Sequence, residues 1–192
     1  MIRCLLFAVF DNQGVPMDRA GEYPYKDENE RKISVFNRAL AYQGTIRVTP
    51  KGRLAFATMC AKMLFLYEIR DSHLVRNKVV IDRYADYKPD YSGGQASYSV
   101  VHNGKLPVCY RDLSVTESHI YALYSGRSFK DYGLAEWECG YIYVYDWAGN
   151  RLALFQLDLP LLCFCVDEQS GIIYGIANNP EPTLVCFPLP QS

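Results

Sequence analysis

The sequence predicts an all-β chain of antiparallel four-stranded units, about three of them, and three observations carry that prediction. Sixteen Tyr and nine Phe raise the aromatic share to 14%, and such side chains suit pleated, half-buried surfaces better than helices. Apolar residues alternate over short runs, as at Leu64, Leu66, Ile142 and Val144, which is the period of a strand with a buried face. A pattern of strand, polar turn and strand then recurs along the chain, the mark of a repeat architecture.

The elements follow in order. Cys4 to Phe10 (CLLFAVF) has the apolarity of a signal-peptide core, but no small-residue cleavage site follows and the run ends in Asp11-Asn12-Gln13-Gly14, so it reads as a strand and turn. Asp27 to Leu40 is where charge and Asn interrupt the β pattern, and it is the one place for a short helix or irregular turn. The first full repeat runs from Ile46 to Thr58 as two strands around a polar turn, then through Met63 to Glu68 and Leu74 to Ile81. The second runs from Leu113 to Ser125, then through Tyr141 to Asp146 and Arg151 to Leu157. The third begins at Phe164, passes Val166, Asp167 and Gly171 to Tyr174 and Ala177, and ends near Phe187. Val48, Val115 and Val166 are equivalent, at spacings of 67 and 51 residues. These are close to or above the ~40 to 50 residues of a β-propeller blade, the longer one holding an insertion.

With blade strands lettered A to D, the order is C-D, A-B-C-D, A-B-C-D and A-B-C, about thirteen strands. The expected organisation is a single propeller unit over 1–192, with a partial blade at 1–23, blades at 42–82 and 110–158, and a partial blade at 160–188.

Composition narrows the partners. Twenty basic and twenty-one acidic side chains leave a net charge of -1, so no strong field draws the chain to nucleic acid. No segment reaches the roughly 20 apolar residues of a membrane-spanning helix. The seven cysteines follow neither a CxxC nor a His-paired pattern. They read mostly as small buried hydrophobes, and strand alternation puts Cys163 and Cys165 on one face, where packing accounts for them.

The stretches VFDNQG and GEYP (within 9–24), AYQGTIRVTPKGRLAFAT (41–58) and YVYDWAGN (143–150) resemble blades of the TolB-like six-bladed propellers of Bacteroides-type bacteria. The likeness covers nearly the whole chain and rests on turn glycines and inner-strand valines, which specify fold rather than chemistry. It implies that the chain is the C-terminal half of a six-bladed β-propeller, in a periplasmic or surface setting, with no family catalytic residue to carry over. The sequence departs from the family in having no export or lipoprotein signal and about half the expected length. As written it reads as cytoplasmic, in keeping with its seven cysteines. An open arc of blades leaves edges and faces bare. Pairing of the C-terminal A-B strands (Leu161 to Ala177) with the N-terminal C-D strands of a second copy gives a homodimer that closes a six-bladed ring.

Successive turns of a meander alternate between the two ends of the strands. The turns at 49–52, 116–119 and 146–149 are short and share one end. The long connections at 24–40, 82–109 and 126–138 share the other, where binding usually resides. Those loops carry Tyr84, Asp86, Tyr87, Lys88 and Tyr91, beside Asp90, and Arg127, Lys130, Tyr132 and Trp137, beside Glu138. Aromatic rings next to charges suit a protein, peptide or glycan ligand; they also suit loops packed on blades with solvated charges. The expected function is therefore that of a non-catalytic binding propeller, with no catalytic residue, metal or cofactor assigned.

The alternative is a metal-dependent propeller hydrolase or lyase acting at the central channel, with Asp86, Asp90, Asp131 and Glu136 as recruits. Their spacing does not demand it. His73, His102 and His119 are dispersed, no nucleophile-elbow motif is present, and Gly93-Gly94 reads as loop flexibility. Whether Arg47 and Arg111 point into a channel stays open at this level.

Overall fold

Strands form where short apolar runs end in tight turns, and each group of strands folds as an antiparallel meander. The fold is that of a computed structural model describing residues 5–90, 97–100 and 104–190. β1 (Leu5–Phe10) and β2 (Pro16–Glu22) make the first sheet. β3 (Gly44–Val48), β4 (Arg53–Thr58), β5 (Lys62–Arg70) and β6 (His73–Arg83) make the second. After a small hairpin of β7 (Tyr87–Asp90) and β8 (Ser97–Val100), the third sheet comprises β9 (Tyr110–Val115), β10 (His119–Tyr124), β11 (Cys139–Asp146) and β12 (Arg151–Leu161). β13 (Cys163–Asp167), β14 (Ile172–Asn178) and β15 (Pro182–Pro188) form the fourth. The chain is thus all-β and antiparallel, and no strand pairing joins the first sheet to the fourth among the described residues.

Helix is confined to the connections. Between the first two sheets lie α1 (Glu28–Arg31) and α2 (Val35–Ala41), where the β pattern lapses. Asp27 caps the first by accepting from the N–H groups of Asn29 and Glu30, and Ser34 caps the second by accepting from Asn37. Two features fall in segments expected to be plain loop: the β7–β8 hairpin, and α3 (Phe129–Tyr132) with a 3-10 turn at Gly133–Trp137. Each is about one turn or four residues long, too short to leave a periodic signal. Among the described residues no helix is long and apolar enough to cross a membrane.

The sheets stack face to face. Leu54, Phe56, Phe65 and Tyr67 of the second sheet meet Phe7, Val9 and Ala20 of the first. Ala55, Ala57, Leu64 and Leu66, on its other face, meet Tyr110, Ile120, Tyr143 and Tyr145 of the third. The reverse of the third, with Tyr121, Leu123, Ile142 and Val144, meets Phe164, Ile173 and Ala177 of the fourth. Each fully buried Leu of this kind contributes about 1.5–3 kcal/mol, so these faces supply most of the stability. The approach is close enough to dictate sequence: a Cβ on Gly21, which has φ +76°, would sit 2.7 Å from the Tyr67 hydroxyl.

Polar ties between sheets concentrate on β3, β9 and β13, which lie side by side. The buried Asp112 of β9 accepts from the Arg47 guanidinium of β3 at 2.7 Å, from its neighbour Leu113 N–H at 2.8 Å, and from Phe164 N–H of β13 at 3.2 Å. Arg47 is therefore held by an ion pair across sheets. A second tie repeats. The Glu117 carbonyl accepts from Arg53 at 2.8 Å and its carboxylate from Lys51 N–H at 3.2 Å. One sheet further on, Glu168 lies 2.6 Å from His119 Nδ1 and accepts from the Tyr121 hydroxyl at 2.9 Å.

The cysteines divide by exposure. Cys109 and Cys139 are buried and Cys60 is half-buried, but Cys163, Cys165 and Cys186 are exposed. Packing therefore does not account for the C-x-C pair: alternation does place both thiols on one face of β13, and among the described residues none covers that face.

Two outcomes follow from the ties. Asp112→Ala orphans buried donors on two strands and is expected to cost about 2–4 kcal/mol in urea unfolding, whereas Arg47→Ala, removing the half-exposed partner, costs about 1 kcal/mol. For Glu168, burial raises the carboxyl, but hydrogen bonds from His119, Tyr121 and Thr116 outweigh it and hold the group below its usual range. A carboxyl lowered on folding stabilises the fold above its unfolded value, and that gain is lost as pH falls through the folded value. The thermal midpoint should therefore drop on acidification below about pH 4, and by less in Glu168→Gln.

Candidate functional site

The end of the strands that carries the long connections is organised by backbone pairing between two of them. Segment 104–109, leading into β9, runs beside 125–130, leading out of β10. Val108 N–H donates to the Arg127 carbonyl at 2.9 Å, Gly126 N–H returns to Val108 at 2.8 Å, and Lys130 N–H donates to Gly104 at 2.7 Å. Arg83, at the end of β6, bolts this pair to the β4–β5 turn: its guanidinium donates to the carbonyls of Cys60 at 3.0 Å and Pro107 at 3.2 Å, and to the Cys109 sulfur at 3.0 Å.

Between these segments lies a pocket of ≈ 410 Å³. Leu106, Pro107 and Val108 form one wall, Phe129, Glu136 and Trp137 another, and Met59, Cys60 and Gln43 complete it. The lining is predominantly apolar and aromatic with few polar groups, the character of a small-ligand or side-chain pocket. Trp137 is held from outside by Arg111, whose guanidinium lies 5.1 Å from its ring centre. Arg111 is thus engaged with a ring at the long-connection end.

The thiols at and near the site are not activated. Burial raises the Cys60 thiol, with the nearby Arg83 charge opposing that only in part, so it stays a thiol at neutral pH. Burial likewise pushes Cys109 up to about 11 and Cys139 up to about 12. Among the described residues no three His, Cys, Asp or Glu side chains are disposed to hold a metal ion. Of the carboxylates considered for that role, Asp131 accepts from the Ser128 hydroxyl at 2.7 Å, Glu136 lines the pocket and Asp86 is exposed.

A family model described as TolB-like 6-blade propeller-like matches residues 5–169, from β1 through the turn after β13. The chain belongs to the TolB-like 6-blade propeller-like family. No curated protein matches it. In this TolB-like chain the stacked meanders are accordingly blade-like sheets, and the pocket lies among the connections at one end of them.

The residues singled out from sequence fall in three places. Trp137 lines the pocket. Arg127 and Tyr132 belong to an adjoining groove of ≈ 450 Å³, where the guanidinium lies 5.1 Å from the Tyr132 ring centre and pairs with Glu138 at 3.2 Å; Lys130, exposed, sits on the same connection. Tyr84 packs against the core between the first two sheets, and Asp86 is exposed beside it. Tyr87 and Lys88 lie on β7, and Tyr91 and His102 fall outside the described residues. Sequence reasoning missed Met59, Cys60, Leu106, Pro107 and Phe129. They are apolar residues in bends, at an isolated bridge for Pro107 or, for Phe129, at the start of α3, with no pattern to mark them until 104–109 is laid beside 125–130.

The raised thiols yield a check on this arrangement. Iodoacetamide at pH 8 should leave Cys109 and Cys139 unmodified in the native protein and label both after denaturation, as read by peptide mass mapping; native labelling of Cys109 would mean that the Arg83 bolt is open.

Proposed function

We propose that the chain is a non-catalytic β-propeller binding protein that takes a protein, peptide or glycan ligand at its long-connection end. The apolar and aromatic pocket carries this reading, because its wall presents rings and aliphatic groups without an activated nucleophile or a clustered metal-ligand set among the described residues. Trp137 and Phe129 are the anchors, flat surfaces that bind at small cost in side-chain entropy. Arg127, Lys130 and Tyr132 extend the contact along the same connection. Tyr84, Asp86, Tyr87, Lys88 and Tyr91 belong to the neighbouring connection and are proposed as further ligand contacts.

Selection of a random peptide library and a glycan array on the immobilised chain tests this. Enriched ligands should lose at least about tenfold in affinity with Trp137→Ala or Phe129→Ala and keep it with Lys51→Ala at the opposite end. Absence of enrichment from both sources, or turnover of chromogenic esters abolished by a chelator, would replace this reading with the metal-dependent hydrolase.

A further inference from the structure

Among the described residues that line the pocket at the long-connection end, Glu136 is the only charged one, and apart from Gln43 and the Cys60 thiol the rest of the lining is apolar or aromatic. The two other acidic groups on that connection are engaged: Asp131 accepts from the Ser128 hydroxyl at 2.7 Å, and Glu138 pairs with Arg127 at 3.2 Å and accepts from the Asn178 amide at 3.3 Å. No hydrogen bond or ion pair reaches the Glu136 carboxylate among the described residues.

Its backbone is pinned. The Glu136 carbonyl accepts from the buried Ser125 hydroxyl at 2.6 Å, and the Ala135 carbonyl before it accepts from Arg127 at 3.2 Å, so the point from which the carboxylate hangs is fixed. The charge is felt on a different wall, at Cys60, where it adds to burial in raising the thiol. Arg83 opposes it there, and more strongly. The Arg83 guanidinium is, however, engaged by the Cys60 and Pro107 carbonyls and the Cys109 sulfur and does not line the pocket. The end of the pocket that favours a cation is therefore the one at Glu136.

A carboxylate among apolar walls has lost part of its water without gaining a partner, and the group that offsets this loss is a cation able to donate to it. The Phe129 ring on the same wall offers a face that attracts positive charge. Arg111 already lies 5.1 Å from the Trp137 ring centre, which leaves Trp137 better suited to an aliphatic stem than to a second charge. A glycan would leave most of its hydroxyls unpaired against this lining, and an acidic ligand would meet like charge.

We propose that the pocket takes a positively charged side chain, lysine or arginine, displayed by a peptide or protein. The head group pairs with the Glu136 carboxylate, and the stem lies along Leu106, Pro107 and Val108. This rests on the pocket being the binding site proposed above, and narrows its ligand to one charge class.

Four capped amino acids test the proposal, the Nα-acetyl N-methylamides of lysine, arginine, norleucine and glutamate, titrated into the chain with the Trp137 indole N–H followed by NMR. The lysine or arginine probe should bind at least about tenfold more tightly than norleucine, which has the lysine stem without its charge, and glutamate should bind least. The tighter of the two cationic probes identifies the head group. Glu136→Gln keeps the shape and removes the charge; with its near-UV circular dichroism unchanged, it should lower both cationic probes to the level of norleucine and leave norleucine where it was. Should that variant misfold, the wild-type ratio of lysine to norleucine decides alone. Equal binding of those two, no binding of either cationic probe, or cationic binding that survives Glu136→Gln would overturn the inference. Library ligands that lose affinity in Trp137→Ala but not in Glu136→Gln would likewise overturn it, while keeping the pocket as the binding site.

Discussion

The second and third sheets are apolar on both faces, and the rest of the structure depends on that constraint. A strand buried on both sides cannot turn a polar face to water, so each sheet needs a neighbour before and after it. Small residues answer large ones across the contact. Ala55 and Ala57 leave room for Tyr110, Tyr143 and Tyr145, and the Tyr110 and Tyr145 hydroxyls satisfy one another at 2.8 Å inside it. Polar groups are consequently driven to the inner strands and turns, where Asp112, Glu117 and Glu168 set how adjacent sheets are aligned.

This constraint also explains what was legible in the sequence. Strand and turn follow from local rules: β-branched Val48 and Val115 lead into polar turns, and Gly52 and Gly149, both at positive φ, mark turns whichever sheets lie alongside. The β7–β8 hairpin and α3 were hidden because each is a brief departure inside a long connection, below the length at which a period can be seen. The exposure of Cys163, Cys165 and Cys186 was hidden for another reason. Alternation says which residues share a face, but whether anything lies over that face is a tertiary fact.

The candidate site was legible only as a location. Loop length pointed to the end of the strands where the pocket lies, and Trp137, Arg127 and Tyr132 were visible as rings and charge on one connection. The other walls come from Met59 and Leu106, side chains that look ordinary in sequence. They acquire meaning through the backbone pairing of Val108 with Arg127 and the Arg83 guanidinium contacts to the Cys60 and Pro107 carbonyls, tertiary contacts that no local pattern marks.

The connections between sheets differ greatly in length. Leu162 alone separates β12 from β13, while residues 84–109 separate β6 from β9. The third and fourth sheets are thus leashed so tightly that docking one on the other costs little chain entropy, whereas the second and third must find each other across a long tether. With each sheet touching only its neighbours, stability is close to a sum over contacts. A cut in 84–109 would sever no ladder of the large sheets, which makes that connection the natural place to divide the chain into two complementing fragments.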